Sequence, residues 1–199
     1  QLATLAQDMP PQAIKTGLLG SVDNLRVVCR WVDRLRADGH AVALVVDPVL
    51  GSTTGTHFVD DALLDAYCRQ LLPRATLITP NRAEALRLLH AGEPGHPLQG
   101  AAAPALAQAL QVRWRMGTRE WAPSDALVVQ DCFSVVITGG DEVQANGLAC
   151  DWLQSSQATG WLSLPRVSTV HHHGTGCTFA STAAAALASG YCVADAVVL

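Results

Sequence analysis

The sequence contains no apolar run approaching the roughly 18 residues that a membrane-spanning helix needs. Residues 1–11 also lack the basic segment and apolar core of a secretion signal. No run rich in lysine and arginine is present, and the formal net charge is −4. These features argue against nucleic acid or an anionic membrane as the main partner, so we expect a cytoplasmic protein that binds a small molecule or another protein.

The cysteines also lack any recognisable spacing. No two of the 6 cysteines have the two-residue spacing of a zinc site or a redox-active pair. This pattern suggests a reducing compartment. Most of the cysteines lie in apolar surroundings, where a free thiol behaves as a small buried hydrophobic group. Cys177 differs from the other cysteines, because a distinctive motif surrounds it.

The length of 199 residues and the hydrophobic content of 49% are sufficient for one sizeable core. We therefore expect a single domain over 1–199. The chain opens at Gln1 without a methionine and closes in the apolar run 194–199 without a helix stop signal. Both ends look cut.

Helices and buried strands alternate along the chain. Ser21 can cap a helix that ends at Gly39 and carries apolar residues at helical spacing. The uninterrupted apolar run at 41–46, which leads into Asp47-Pro48, is typical of a strand covered on both faces. The helix's apolar positions are Leu25, Val28, Cys29, Val32 and Leu35.

The same unit recurs downstream. We predict a second helix that ends before Pro73, then strands at 76–78 and 135–137, with helices through Leu86 and Leu89 and over 104–114 between them. Segments 148–153 and 160–164 read as an antiparallel hairpin. The alternation predicts an open, doubly wound α/β sheet with helices on both faces, and such sheets bind ligands beyond the carboxyl ends of their strands.

A glycine-rich turn at 173–178, HGTGCT, precedes an alanine-rich run. It reads as the opening of a helix, where exposed amides and a partial positive charge can hold a phosphate. A tight loop without any ligand is the alternative interpretation. Cys177 would lie in the first helical turn, which biases a thiol toward thiolate and would let it accept a proton. The alternative here is a buried structural cysteine.

Polar residues follow three of the predicted strands. They are Asp47, then Thr79, Asn81 and Glu84, then Thr138 with Gly139 and Gly140. Because the carboxyl ends of parallel strands meet at one edge, we expect them to lie together. A pair of carboxylates such as Asp47 and Glu84 is typical of a magnesium-nucleotide site. Taken singly, Asp47 could be a turn residue and Glu84 a solvated helix charge.

Three consecutive histidines, at 171–173, suggest a metal cluster at first sight. Consecutive residues of an extended segment point to alternate faces, however, and cannot readily bind one ion. We do not predict a metal site there.

The motifs resemble those of the hydroxymethylpyrimidine and phosphomethylpyrimidine kinases of thiamin biosynthesis, within the ribokinase-like superfamily. The matching segments run in the family's order. They are AIKTGLLG at 13–20, VDPV at 46–49, LLP at 71–73, TPNRAEA at 79–85 and HGTGCTF at 173–179.

The resemblance implies a three-layer α/β/α sandwich, with a mostly parallel sheet and an antiparallel edge. It implies ATP-dependent phosphorylation of 4-amino-5-hydroxymethyl-2-methylpyrimidine and of its monophosphate, with Mg²⁺, in a homodimer. Cys177 would be the base and, with Gly17, would line the pyrimidine pocket. The remaining roles would be an anion hole at Gly174, Thr175, Gly176 and Cys177, magnesium and phosphate contacts at Asp47 and Glu84, and nucleotide contacts at Thr79, Asn81, Thr138 and Gly140.

The chain also departs from the family. The family usually has a lysine in the loop after VDPV, where this chain reads LGSTTG, and KGGH where it reads TGGD at 138–141. Both changes weaken the attraction for phosphate. We also expect this chain to lack the family's N-terminal strand, its glycine-rich segment and its last C-terminal helix. Pyridoxal kinase and a non-catalytic pyrimidine-binding regulatory domain are the alternative functions.

Overall fold

The computed structural model describes residues 2–51, 58–90, 96–121, 133–139, 147–169 and 173–199. Six strands of the described residues form one sheet in the order β1-β2-β3-β4-β5-β6. The first four pair in parallel, and β5 and β6 continue the sheet in antiparallel pairing. The strands are β1 (Ala13–Thr16), β2 (Ala43–Val46), β3 (Leu77–Ile78), β4 (Ser134–Ile137), β5 (Leu148–Gln154) and β6 (Thr159–Pro165).

The helices begin and end largely where local signals predict. Ser21 caps α2 by accepting a hydrogen bond from the Asn24 amide at 3.2 Å. Gly39 follows that helix with a φ of 88°, the left-handed conformation that glycine adopts without strain. The helices are α1 (Leu2–Asp8), α2 (Val22–Ala37), α3 (Asp61–Ala66), α4 (Arg82–Leu88), α5 (Ala103–Trp121), α6 (Thr175–Ala188) and α7 (Val193–Ala196).

Side chains that alternate along the strands divide the core into two layers, one on each face of the sheet. Leu44, Val46 and Ile78 face a core that also contains buried residues of α2, α3, α4 and α5. Val45 and Leu77 face the opposite core, with Ala180 and Ala183 of α6 and Val193 of α7. The predicted three-layer α/β/α sandwich with an antiparallel edge is therefore confirmed.

The winding of the chain explains which helices cover which face. The described strand order never reverses, so the connecting helices α2 to α5 all lie on one face. The second face is covered by α6 and α7, which follow the last strand. Helices thus lie on both faces, as predicted, but within the described residues no reversal of strand order places them there.

The second predicted helix, α3, ends before Pro73, as expected. A π-helical turn, Tyr67–Leu71, follows α3, and a 3-10 turn, Leu72–Arg74, contains the proline. Proline is tolerated in a first helical turn because its missing N–H needs no partner there. The predicted hairpin is confirmed by β5 and β6, which pair in antiparallel register. Within the described residues, no helix is long and apolar enough to cross a membrane.

Replacing Leu106 tests the core on the connecting-helix face. Leu106 on α5 is fully buried in that core, so Leu106→Ala should lower the free energy of unfolding by about 2–5 kcal/mol. The matched control Leu164→Ala removes the same atoms from an exposed position on β6 and should change it by less than about 0.5 kcal/mol. Urea unfolding measures both, and equal losses would contradict this packing.

Candidate active site

The parallel pairing of β1 to β4 brings the predicted site residues to one edge of the sheet. Asp47 directly follows β2, Thr79 directly follows β3, and Thr138 directly follows β4. Thr138 also forms a parallel bridge with Asn81. The predicted convergence of Asp47, Thr79, Asn81 and Thr138 is therefore confirmed. Gly140 and Asp141 lie outside the described residues, as do residues 52–57, His171 and His172.

Asn81 and Glu84 form a capping box at the start of α4. The Asn81 side chain accepts a hydrogen bond from the Glu84 amide at 2.9 Å, and Glu84 Oε2 accepts one from the Asn81 amide at 3.0 Å. Glu84 Oε1 also accepts from the Leu50 amide at 3.4 Å. Glu84 is thus no freely solvated charge, because it joins the loop after β2 to the start of α4.

Asp47, directly after β2, forms an ion pair with Lys15 of the neighbouring strand β1. The Lys15 Nζ to Asp47 Oδ2 distance is 3.0 Å, and the two side chains are only 19% and 8% exposed. Lys15 is not among the site residues predicted from the sequence. A signal was nevertheless present, because a charged residue inside a short buried strand requires a partner of opposite charge.

Gly17 lies where a side chain would crowd this ion pair. A Cβ atom at Gly17 would lie 3.2 Å from Lys15 Nζ. The Gly17 carbonyl accepts a hydrogen bond from the Tyr67 hydroxyl at 2.9 Å. Burial raises the pKa of Tyr67 to about 12, and the negative charges of Asp47 and Glu84 add to the shift. Both carboxylates therefore lie near the same hydroxyl, next to Gly17.

The glycine-rich turn does open a helix. Gly174 is the N-cap of α6 and has a φ of 83°, a conformation that strains other residues. Thr178 closes the first turn, since its amide and its hydroxyl each donate to the Gly174 carbonyl at 2.8 Å. Thr175, Gly176 and Cys177 follow Gly174 in the first turn of α6, the part of a helix whose amides can bind an anion.

Cys177 lies in this first turn and is exposed, so the alternative of a buried structural cysteine is wrong. The expected bias toward thiolate is also wrong. Local desolvation raises the pKa of the Cys177 thiol, and the neighbouring Asp47 carboxylate raises it further. Lys15 opposes the shift by lowering that pKa. Desolvation is the largest cause of the raised pKa, and the Asp47 carboxylate adds to it.

Two threonine hydroxyls at the same edge are buried. Thr16 and Thr79 are 5% and 4% exposed, and within the described residues neither hydroxyl oxygen has a hydrogen-bond partner. Buried hydroxyls are normally satisfied. A polar ligand at the ends of β1 and β3 would supply what they lack.

Two cavities flank the edge. One, of about 80 Å³, is lined by Arg82, Thr138, Gly139 and Trp161, among others. A second, of about 460 Å³, lies between the segment 20–22 and the segment 58–63. Only the second has the volume typical of a small-molecule pocket, and it adjoins the loop that begins at Gly17.

Among the described residues, no group of three His, Cys, Asp or Glu side chains could hold a metal ion alone. A magnesium ion bound with a nucleotide keeps several waters and needs only one or two carboxylates. Asp47 and Glu84 fit that arrangement. Asp47 lies beside Cys177, and Glu84 is held at the start of α4 by its hydrogen bonds to the Asn81 and Leu50 amides.

Comparisons with known proteins agree on a kinase fold. The model of the phosphomethylpyrimidine kinase family matches residues 1–199. A hydroxymethylpyrimidine/phosphomethylpyrimidine kinase of Synechococcus elongatus is 33% identical over 96% of this chain and 62% of its own length. A probable thiamine biosynthetic bifunctional enzyme of rice, described as chloroplastic, is 31% identical over 99% of this chain and 31% of its own length.

Solved structures show the same similarity. An ADP complex of Bacillus subtilis pyridoxal kinase is 27% identical, with a TM-score of 0.71, over 98% of this chain and 63% of that one. The chain thus spans about 62% of the length of the bacterial kinase from Synechococcus that it matches.

Alkylation of cysteines tests the local charge environment. In EDTA and without nucleotide, the rate at which iodoacetamide modifies Cys177 should rise with pH at higher values than for the cysteine of a short unstructured peptide that is blocked at both ends. A raised pKa leaves less thiolate at any given pH. Burial also raises the pKa of Cys68, to about 11, and that residue should stay unmodified in the folded protein. Peptide mass spectrometry measures each site, and a Cys177 midpoint below that of the free thiol would refute the assignment.

Proposed function

The chain belongs to the phosphomethylpyrimidine kinase family, and on that basis we propose that it transfers the γ-phosphate of ATP to the hydroxymethyl group of 4-amino-5-hydroxymethyl-2-methylpyrimidine. The monophosphate of this pyrimidine is the proposed second acceptor. The observation that carries the proposal is the placement of Cys177, at the N-terminus of α6, beside Asp47 at the carboxyl edge of the sheet.

The first turn of α6 suits a transferring phosphoryl group. Phosphoryl transfer passes through a loose transition state, in which positioning and charge stabilisation dominate. The amides of Gly174, Thr175, Gly176 and Cys177 are the proposed anion hole. The partial positive charge of the helix terminus adds to their attraction for the transferred group.

Cys177 is the proposed acceptor of the proton that leaves the substrate hydroxyl. Since the pKa of its thiol is raised, the thiolate is the minor form at neutral pH in the free chain. A loose transition state requires the proton to leave only late in the reaction. A base that acts from its minor form is compatible with that requirement.

Asp47 and Glu84 are the proposed holders of magnesium, through water. When bound, the ion would neutralise charge on the phosphates of ATP. Asp47 would turn its carboxylate toward the site from the end of β2. Glu84 would contribute from the capping box of α4, whose hydrogen bonds fix its side chain.

Thr79, Asn81, Thr138 and Gly140 are the proposed contacts for the nucleotide. The buried hydroxyl of Thr79 supports its part of this proposal. The side-chain oxygen of Asn81 already caps α4, so the amide nitrogen of that side chain is the atom proposed to contact ATP. Thr138 lines the small cavity beside Arg82.

The pyrimidine is the proposed occupant of the space beside Gly17 and Cys177. A pyridoxal-type ring is the second candidate, because a pyridoxal kinase shares the fold at a TM-score of 0.71. A non-catalytic regulatory domain is disfavoured by the assembly of Asp47, Lys15 and Cys177 at one point. The reducing environment implied by free cysteines supports the proposed cytoplasmic location. The homodimer stays a prediction.

Substrate choice can be measured directly with the protein at its full natural length. Hydroxymethylpyrimidine should be phosphorylated with a kcat/KM at least about tenfold above that for pyridoxal, a difference of about 1.4 kcal/mol. The pyrimidine monophosphate should also be an acceptor. A preference for pyridoxal would favour the second candidate. Binding of the pyrimidine without any transfer would favour the regulatory domain.

The role of Cys177 can be tested by one substitution. Cys177→Ser should lower kcat by about 100-fold or more, the typical contribution of a positioned base, and should leave the affinity for ATP nearly unchanged. Cys192→Ser is the matched control, since Cys192 is also exposed but precedes α7. Turnover at the wild-type rate in Cys177→Ser would remove the assignment.

A further inference from the structure

Lys15 is the single lysine of this sequence, and every other residue among the 13 basic ones is an arginine. It lies on β1, which pairs in parallel with β2. Its side chain is only 19% exposed and reaches the carboxyl edge of the sheet. The ammonium group is thus mostly buried at the sheet edge where the candidate active site lies. Burying a charge is costly, so its retention at this edge suggests a function.

The ammonium group of Lys15 is held from two sides. Asp47 Oδ2 lies 3.0 Å away. The Cα of Gly17 faces it so closely that a Cβ atom there would lie 3.2 Å from Nζ. Gly17 is itself fixed, because its carbonyl accepts the hydrogen bond from the fully buried Tyr67. These contacts hold Nζ in one place.

Lys15 also lies close enough to Cys177 for its positive charge to lower the pKa of that thiol. An ammonium group has three donor hydrogens, more than the one Asp47 oxygen that lies 3.0 Å from it would take up. Nearby arginines are engaged with the backbone. Arg87 donates to the carbonyls of Leu50 and Val59, and Arg82 donates to that of Ala101.

We propose that Lys15 is a further catalytic residue of the transfer site, whose ammonium stabilises the negative charge of the transferring phosphoryl group beside Cys177. This inference rests on the proposed kinase activity. The bond from the γ-phosphorus to the oxygen of ADP breaks, and a bond from phosphorus to the substrate oxygen forms. The substrate's hydroxyl proton leaves to Cys177, and Lys15 keeps its own protons throughout.

The fixed position of Nζ is what gives this charge its effect. A group that is already oriented and largely desolvated stabilises developing charge without rearranging during the reaction. The Asp47 carboxylate supplies that orientation. The amides of the first turn of α6 and the Lys15 ammonium would then face the transferred group together.

The site also requires lysine rather than arginine. The ammonium group is compact, whereas the guanidinium of arginine is a planar fork with a wider reach. At 3.2 Å from the Cβ position of Gly17, the space is limited. The Lys15→Arg variant is therefore not expected to reach the activity of the wild-type protein.

Lys15→Met tests the charge while it keeps most of the stem. In the protein at full natural length, kcat should fall by about 100-fold or more, the typical loss on removing one preorganised charge-stabilising donor. The KM for ATP should change by less than about threefold, because the charge acts in the transition state. The matched control Arg69→Met removes an exposed cation paired with Asp65 at 2.6 Å and should keep the wild-type kcat.

Binding measurements separate a catalytic role from a structural one. ADP with aluminium fluoride mimics the transferring group, so Lys15→Met should weaken its binding at least about tenfold while the Kd for ADP alone stays within about threefold. An equal loss for both ligands would overturn the proposal. If Lys15→Met does not fold, wild-type protein labelled at the lysine Nζ with ¹⁵N still serves as a test.

The single lysine makes that labelled sample unambiguous, because it gives one side-chain signal. The signal should shift on addition of ADP with aluminium fluoride and should shift much less with ADP alone. If the chemical shift of Lys15 Nζ does not change on addition of ADP with aluminium fluoride, the proposed role of Lys15 is overturned. If wild-type protein transfers phosphate and Lys15→Met does so at the same rate, this inference fails alone. If wild-type protein transfers none to any acceptor, the proposed function fails.

Discussion

An ion pair between two neighbouring parallel strands holds the centre of this site together. Lys15 on β1 and Asp47 just beyond β2 are both largely withdrawn from water, with Nζ and Oδ2 3.0 Å apart. Removing one partner of such a pair leaves an uncompensated charge, at a typical cost of about 3–5 kcal/mol. Every other feature of the site is arranged around this contact. Gly17 lies against the ammonium, and Cys177 lies beside both charged groups.

Two different structural devices bring the remaining residues to the same place. The sheet supplies the first, since the parallel strands β1 to β4 all end at one edge. Helix caps supply the second. The capping box of Asn81 and Glu84 joins α4 to the loop after β2, and Gly174 starts α6. Ala180 and Ala183 are fully buried against the sheet, and such small side chains let α6 approach closely enough for Cys177 to reach Asp47.

The electrostatics of this arrangement differ from those of an isolated helix terminus. Desolvation and then Asp47 raise the pKa of the Cys177 thiol, whereas Lys15 lowers it. A negative carboxylate so near an anion hole would also repel phosphate if it were alone. Its pairing with Lys15 makes the local charge close to neutral, and the amides of α6 then determine the attraction for an anion. The same pairing leaves an oriented ammonium group at the point where charge develops during phosphoryl transfer.

Much of this protein followed from local sequence features, because those features act over a few residues. Ser21 and Gly39 define α2 through capping and a left-handed turn, and the apolar runs before Asp47 and Thr138 form buried strands. The convergence of Asp47, Thr79 and Thr138 needed only the rule that parallel strands share an edge. The sequence by itself therefore determined the layers of the fold, the location of the site and most of the residue types in it. Only the tertiary structure decided which of these residues interact. Lys15 gained its importance from the β1 to β2 register. Gly139 must be small because a Cβ would meet the Cys150 carbonyl at the β4 to β5 pairing. Desolvation and the neighbouring Asp47 raise the pKa of Cys177. Charge and steric contacts of this kind act through space between residues that are distant in the chain, so no local pattern contains them.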